Sequence, residues 1–396
     1  MNKNWVIKAP GDEDIIASLS RELGVERPLA QLLAQRGITT YDEARHFFRP
    51  DLENLHDPFL MLNMDVAIDR IIQAIGSGEK VLIYGDYDVD GTTAVALVYS
   101  FFKEHFKHID YYIPDRYDEG YGVSLKGIDY AAKHEFTLII ALDCGIKAVD
   151  KVEYARKKGI EFIICDHHNP GDTIPDAVAV LDPKQKGCPY PYKDLSGCGV
   201  GLKLVQAYAI QTGEPPESVY EFLDLVVVSI ASDIVPITGE NRIMSHFGLK
   251  KLNENPSMGL RAIKEVAGIT KKEIDIEEIV FKIGPRINAA GRMESGRKSV
   301  DLLVCDKRQD AGIISKTINN FNLDRRNIDT EITRQAIDMI RTDAEMQERS
   351  STVLYNPDWH KGVIGIVASR LLDHYYKPTV ILTRSNGLAT GSARSV

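Results

Sequence analysis

The segment GDYDVDGTT, residues 85–93, carries three aspartates at alternate positions, then Gly91 and two threonines. Alternate residues of an extended segment point the same way. Asp86 and Asp88 are therefore expected to converge on one point. Two carboxylates held that close repel unless a cation sits between them, which makes a metal site the expected chemistry. The run also matches half of a calcium-binding EF-hand loop. Its twelfth position, where a bidentate glutamate is needed, is Leu97, so calcium is disfavoured. The plainest alternative is a helix N-cap.

A second polar element is Asp166-His167-His168, directly after an apolar run. Imidazole is a common metal ligand, and two adjacent imidazoles after a strand cannot face the same way. One is expected on a metal and its neighbour towards substrate; an ordinary polar loop is the alternative. Asp143 ends the preceding apolar run and is the expected bridging carboxylate. One imidazole with several carboxylates is a mainly hard donor set, suited to Mn²⁺ or Mg²⁺ better than Zn²⁺. Two such ions, ~3.5–4 Å apart, would promote in-line displacement at phosphorus. Asp233 lies near the end of the apolar run VVVSIASDIVP. A charge there is costly to bury unless paired or metal-bound; the alternative is the cap of a following turn.

These residues need a scaffold that brings them to one edge. From about residue 80, short apolar runs alternate with stretches of helical spacing. Val81–Tyr84, Ile109–Ile113, Thr137–Leu142, Phe162–Cys165 and Ala177–Leu181 read as strands, and Ala94–Phe106 and Val149–Lys158 as helices. Such alternation predicts an α/β fold with a doubly wound parallel sheet, whose ligands bind beyond the carboxyl ends of the strands. Asp86 and Asp88, Asp115 with Arg116, Asp143, and Asp166 to His168 fall at four consecutive strand ends.

The flanking regions are plainer. Residues 11–60 read as short helices, with a capping box at Thr40 and Glu43. Ile314, Ile318, Phe321, Ile328, Ile332, Ala336 and Ile340 mark one face of a helix of about 35 residues, ~50 Å long at 1.5 Å per residue. A second strand–helix unit begins near Ser351 and includes Thr352–Tyr355, Ile364–Leu372 and Thr379–Leu382. The expected organisation is an N-terminal helical segment (1–75), the metal-binding domain (76–305), a connector helix (306–348) and the start of a smaller α/β domain (349–396). The sequence is expected to be a fragment that ends inside that second domain. Gly197, Gly199 and Gly201 lack the strand and the acidic partner of a dinucleotide loop and are expected to form a turn before a packed helix.

Composition narrows the class. The 396 residues are 44% hydrophobic and 27% charged, enough for a sizeable core. The net charge of −9 argues against sequence-blind coating of nucleic acid but leaves room for a local basic groove. The five cysteines form no C-x-x-C pair, so neither a disulfide framework nor a zinc ribbon is expected. No apolar run reaches signal-peptide or membrane-spanning length, and a cytoplasmic protein without a membrane partner is expected.

GDYDVDGTT, PDRYDEGYG, ALDCG, CDHH and SIASDIVP stand in the order seen in the DHH phosphoesterase superfamily, which this chain resembles. LSGCGVGLKLVQA, FKIGPRINAAGRM, WHKGVIGIVASRL and GSARS resemble its branch of bacterial single-strand-specific 5′→3′ DNA exonucleases. The resemblance runs from about residue 40 to the last residue. It implies two Mn²⁺ or Mg²⁺ ions between a DHH domain and a DHH-associated domain, with Asp86, Asp88, Asp143, His167 and Asp233 as ligands. It places His168 at the scissile phosphate or its water, with Asp166 orienting an imidazole. A histidine that binds metal in relatives acting on small phosphates falls here on Leu82, which argues against a pyrophosphatase. Arg116, Ser392 and Arg394 are assigned to a pocket for the terminal 5′ phosphate. Arg286 or Arg292 is assigned to the scissile phosphate, with Arg286 preferred; surface salt bridges are the alternative for each arginine. The implied substrate is single-stranded DNA with a 5′ end, and the implied partners are a helicase and a single-strand-binding protein. The resemblance implies an OB-fold after the second domain in full-length relatives, which is expected to be absent from this fragment. Two other readings stay open: a DHH enzyme acting on short nucleotides, and a non-catalytic replication scaffold of the same fold.

Overall fold

The structure is a computed structural model that describes residues 5–385 and 387–395. Val396, the first four residues of the N-terminal segment and Asn386 lie outside the described residues. Five strands, β1 (Lys80–Gly85), β2 (His108–Tyr112), β3 (Leu138–Leu142), β4 (Glu161–Cys165) and β5 (Ala179–Leu181), form one sheet in the order β2-β1-β3-β4-β5. Every pairing in it is parallel. The fold is the expected doubly wound α/β type. Its order reverses between β1 and β3, and that switch point is where such sheets open a ligand crevice.

Alternation along the strands feeds two cores. Val81 and Ile83 face the larger one, with Leu138, Ile140 and Leu142 from β3. Leu82 and Tyr84 face the other, with Ile139 and Ala141. The larger core is closed by helices Val89–Phe102, Gly197–Thr212 and Leu223–Asp233, each buried over most of its surface. Helices Leu125–Lys133 and Val149–Lys157 cover the second face through Ile128, Ala131, Val152 and Ala155. The first crossover helix starts at Val89, five residues before the expected Ala94, because Asp88 caps it. Gly197, Gly199 and Gly201 lie within the first turns of their helix, after the N-cap Ser196, and not in a turn before it.

Three helices, Glu13–Leu23, Arg27–Ala34 and Tyr41–Phe48, bury a small core of their own around Ile16, Leu19 and Leu33. The capping box of Thr40 and Glu43 is present.

The connector helix spans Arg308–Thr342, 35 residues. Its apolar stripe serves two cores in turn. Ile318 joins the large core, whereas Ile332, Ala336 and Ile340 join a separate one with Leu354, Trp359, Val367 and Ile381. Between the two halves sits Asp329, fully buried and ion-paired with Arg325 of the same helix at 3.0 Å and with Arg370 at 2.5 Å. Beyond the connector, β6 (Thr352–Tyr355), β7 (Thr379–Ser385) and β8 (Leu388–Arg394) form a second sheet, parallel between β6 and β7 and antiparallel between β7 and β8. Helix Ile364–Tyr375 packs on it. Among the described residues no helix is long and apolar enough to cross a membrane.

Candidate metal centre

Asp86 follows β1 at the switch point. Its side chain is fully buried, and neither carboxylate oxygen has a hydrogen-bond partner. The loop doubles back so tightly that a Cβ on Gly91 would lie 2.5 Å from the Asp86 carbonyl oxygen, which requires glycine. Asp88 accepts the Gly91 N–H at 3.0 Å, so it acts as the helix N-cap. The third aspartate of the run, Asp90, is turned towards the start of the Gly197–Thr212 helix. It accepts the N–H groups of Gly197 and Cys198 and the Ser229 hydroxyl, each at 2.7 Å. The exposed donors of a helix N-terminus suit a carboxylate.

Asp143 ends β3 in the left-handed region, with φ 58°. Its Oδ1 lies 3.1 Å from His167 Nε2 and 4.0 Å from His168 Nδ1. The approach is tight from the other side as well, since a Cβ on Gly197 would meet Asp143 Cβ at 2.6 Å. His167 Nε2 is also 3.6 Å from Asp90 and 3.7 Å from Asp233. Neither ring nitrogen of His167, nor Asp143 Oδ1, makes a hydrogen bond. Asp233 is the last residue of its helix, followed by Ile234 at φ 61°. A carboxylate there faces the negative end of the helix dipole and is stabilised only by a nearby cation.

Asp166 is fully engaged. Its Oδ1 accepts the backbone N–H groups of His167 and His168 and sits 2.7 Å from His168 Nδ1; its Oδ2 accepts the Ile146 N–H. That bond fixes the His168 ring and raises its pKa. The other nitrogen, Nε2, lies 2.9 Å from the Tyr121 hydroxyl.

The electrostatics describe a site short of positive charge. Burial first, then the charge of Asp88, pushes Asp86 up to about 7. Burial, then Asp90 and Asp88, pushes Asp233 up to about 7. Asp143 is raised well above the usual carboxylate range by burial and by Asp90, Asp88, Asp166 and Asp86 together. Two groups place their ligand atoms within 4.8 Å of one another: Asp143, His167 and His168, and Asp90, His167 and Asp233. Orphaned buried atoms and one shared imidazole among carboxylates fit a pair of hard divalent cations.

The structure thus brings Asp143 and Asp233 each to His167, while Asp86 and Asp88 lie on the adjoining loop and in neither ligand group. Asp90 was not singled out in the sequence, although the alternate spacing includes it. Asp182, at the end of β5, also went unnoticed. It is fully buried, its Oδ2 is unpartnered, and burial pushes it up to about 7. Leu82 packs into the second core and contributes nothing to the site.

Arginines gather in a cleft of about 460 Å³ between the two sheets, walled by Tyr87, Arg116, Arg292, Lys361, Ser392 and Arg394. The Arg116 guanidinium lies 4.8 Å from the centre of the Tyr87 ring. Arg394 donates to the hydroxyls of Ser392 and Ser369 at 3.0 and 3.1 Å. Burial, then Arg116 and Arg325, pushes Arg292 down to about 10, and its guanidinium donates to the Gly362 carbonyl at 3.1 Å. Among the described residues none of Arg116, Arg292 and Arg394 pairs with a carboxylate, so the surface-salt-bridge alternative fails for these three. Crowded cations without a counter-anion make an anion site. Arg286 is not among them. Its guanidinium donates to Asn319 Oδ1 at 2.9 Å and to the Lys282 carbonyl at 2.6 Å. Arg286 was preferred to Arg292 from the sequence; in the structure its guanidinium is bonded to Asn319 of the connector helix and to the Lys282 carbonyl, whereas Arg292 lines the cleft.

Comparison with known proteins places the chain in a family. The family described as DHH family, N-terminal domain, matches residues 80–230. The single-stranded-DNA-specific exonuclease RecJ of Bacillus subtilis (strain 168) is 37% identical over 394 residues, 99% of this chain and 49% of that protein. RecJ of Salmonella typhimurium (strain LT2) is 31% identical over 401 residues, 96% of this chain and 68% of that protein. A crystal structure of exonuclease RecJ bound to manganese superposes with a TM-score of 0.77 at 29% identity, covering 87% of this chain and 84% of that one. The chain spans about half the length of the Bacillus relative.

Proposed function

We propose, because the chain belongs to the RecJ family, that it hydrolyses single-stranded DNA from a 5′ end and releases 5′ mononucleotides. One observation carries this reading. An acid cluster with orphaned buried atoms stands beside an arginine cleft free of carboxylates, with Tyr87 and Tyr121 between them at 6.3 Å. Asp86, Asp88, Asp143, His167 and Asp233 are proposed to hold two Mn²⁺ or Mg²⁺ ions, with Asp90 as a further ligand to the His167 side. A resident metal pair supplies charge neutralisation at phosphorus and lowers the pKa of water.

This chain's own residues do the rest. Arg116, Ser392 and Arg394 bind the terminal 5′ phosphate, and the two serine hydroxyls hold the Arg394 fork in place. Arg292 neutralises the scissile phosphate. Asp166 fixes the His168 ring so that it contacts that phosphate or the attacking water. Water adds to phosphorus, the 3′ oxygen of the first nucleotide leaves, and the next nucleotide inherits the phosphate as a new 5′ end. A helicase and a single-strand-binding protein are the proposed partners, and the cytoplasm the proposed location.

Digestion of end-labelled DNA tests the reading. With Mn²⁺, 5′-labelled single-stranded DNA releases labelled mononucleotide first, and a dinucleotide competes poorly. Labelled long products as the first species overturn the polarity, and strong dinucleotide competition points to an oligonucleotidase.

A further inference from the structure

On the far side of the Tyr87–Tyr121 pair from the arginines lies a second cleft, of about 330 Å³. Its floor is apolar, with Ile146 and Val123 buried. Its rim carries Tyr121, 58% exposed, with Lys147 and Lys151. His168 forms the end of the cleft nearest the metal centre. Among the described residues neither lysine's ammonium makes an ion pair or a hydrogen bond, and their two charges outnumber the one free carboxylate of the lining, Asp150. The Tyr121 hydroxyl lies 2.9 Å from His168 Nε2, which sets the ring at the mouth of the cleft next to that imidazole.

We propose that this cleft binds the second nucleotide of the strand, the one that follows the scissile bond. The inference rests on the proposed exonuclease reading. If the 5′ phosphate sits among Arg116, Ser392 and Arg394, the scissile phosphate lies near His168, and the chain continues past the tyrosine pair into this cleft. An apolar floor beside an exposed ring suits a nucleobase, since every base offers a face for stacking. Two unpaired lysines suit the phosphate between the second and third nucleotides, a contact that positions the strand without reading its sequence. The arginine cleft then measures the end of the strand, and the lysine cleft holds its continuation.

The test is a cycle between protein and DNA charge. First-turnover kinetics with Mn²⁺ are measured for the wild-type chain and for Lys147→Gln/Lys151→Gln. The substrates are a 5′-phosphorylated oligothymidylate and the same strand with a neutral methylphosphonate between its second and third nucleotides. The double substitution is expected to raise KM about ten-fold on the ordinary strand, to act little on kcat, and to lower the dependence of log KM on log salt by about 0.7 for one lost phosphate contact. On the neutral-linkage strand the two proteins are expected to agree within about two-fold. An equal KM on the ordinary strand overturns the inference, as does an undiminished defect on the neutral one. If the wild type releases no mononucleotide from either strand, the exonuclease reading itself fails and this inference falls with it.

Discussion

Two regions of this molecule bury charge, and they do so in opposite ways. Lys203 is fully buried within the large core. Its ammonium donates to Glu240 Oε1 at 2.7 Å and to the His56 carbonyl and Gln206 Oε1 at 2.9 Å, so its three donors are all used. Glu240 in turn accepts the His56 N–H and the Tyr190 hydroxyl. The candidate metal centre buries Asp86, Asp143 and His167 with side-chain atoms that lack a hydrogen-bond partner among the described residues. The first network is complete within the chain. The second persists at a cost of several kcal/mol unless something from outside completes it. Burial of charge alone therefore says little about function; the unpaired atoms carry the information.

Substitutions that remove one member from each region should separate the two. The largest effect on activity is expected for Asp143→Ala. Hydrolysis should fall on the order of 10³-fold or more, while the metal-free chain stays folded and loses its Mn²⁺-induced rise in Tm. Turnover near the wild-type rate, or a collapse of the metal-free fold, would break the contrast. Lys203→Met is the counterpart. It strands Glu240 in the core and should destabilise the fold by about 3–5 kcal/mol, with turnover per folded molecule unchanged; denaturant melts and active-site titration read both. Adding Glu240→Leu should restore most of the lost stability, and failure to do so would show that packing, not charge, held the region.

Asp166→Asn tests a residue that belongs to both descriptions, buried and satisfied yet at the site. Replacing the carboxylate by an amide removes the charge that faces His168 and one of its two acceptor oxygens, and should lower turnover or Mn²⁺ affinity about 10–100-fold with a small change in Tm. A larger loss of stability than of rate would move Asp166 to the structural side. The smallest effect is expected for Arg394→Ala. The preference for a 5′-phosphorylated over a 5′-hydroxyl end should fall about ten-fold, with metal binding intact. An unchanged preference would remove Arg394 from the phosphate pocket.

Much of this was legible before any coordinates. Continuous apolar runs gave away β1, β3 and β4, because strands buried on both faces have no polar side to show. The connector was legible because its stripe keeps one period across two cores. Asp86, Asp143 and the two histidines were legible because each ends a strand at the same sheet edge. Asp90 was not, since its partners at Gly197, Cys198 and Ser229 lie more than a hundred residues away. Arg286 and Arg292 share one motif and one helix. Only the tertiary position of Asn319 decides which fork is free. The Lys203 network was not legible because its main partners, Glu240 and His56, lie far from it in the chain.

The connector helix has a mechanical meaning beyond its packing. Its two halves belong to different cores, and buried Asp329 ties its middle to Arg370 of the second lobe. The distance from the metal centre to Ser392 and Arg394 is therefore set by the pitch of a rod and not by a tether. Adding one residue to that rod would advance the second lobe by about 1.5 Å and rotate it by about 100°. The arginine cleft between the lobes exists only at one angular setting, so changes of length along the connector should disturb it far more than changes of composition.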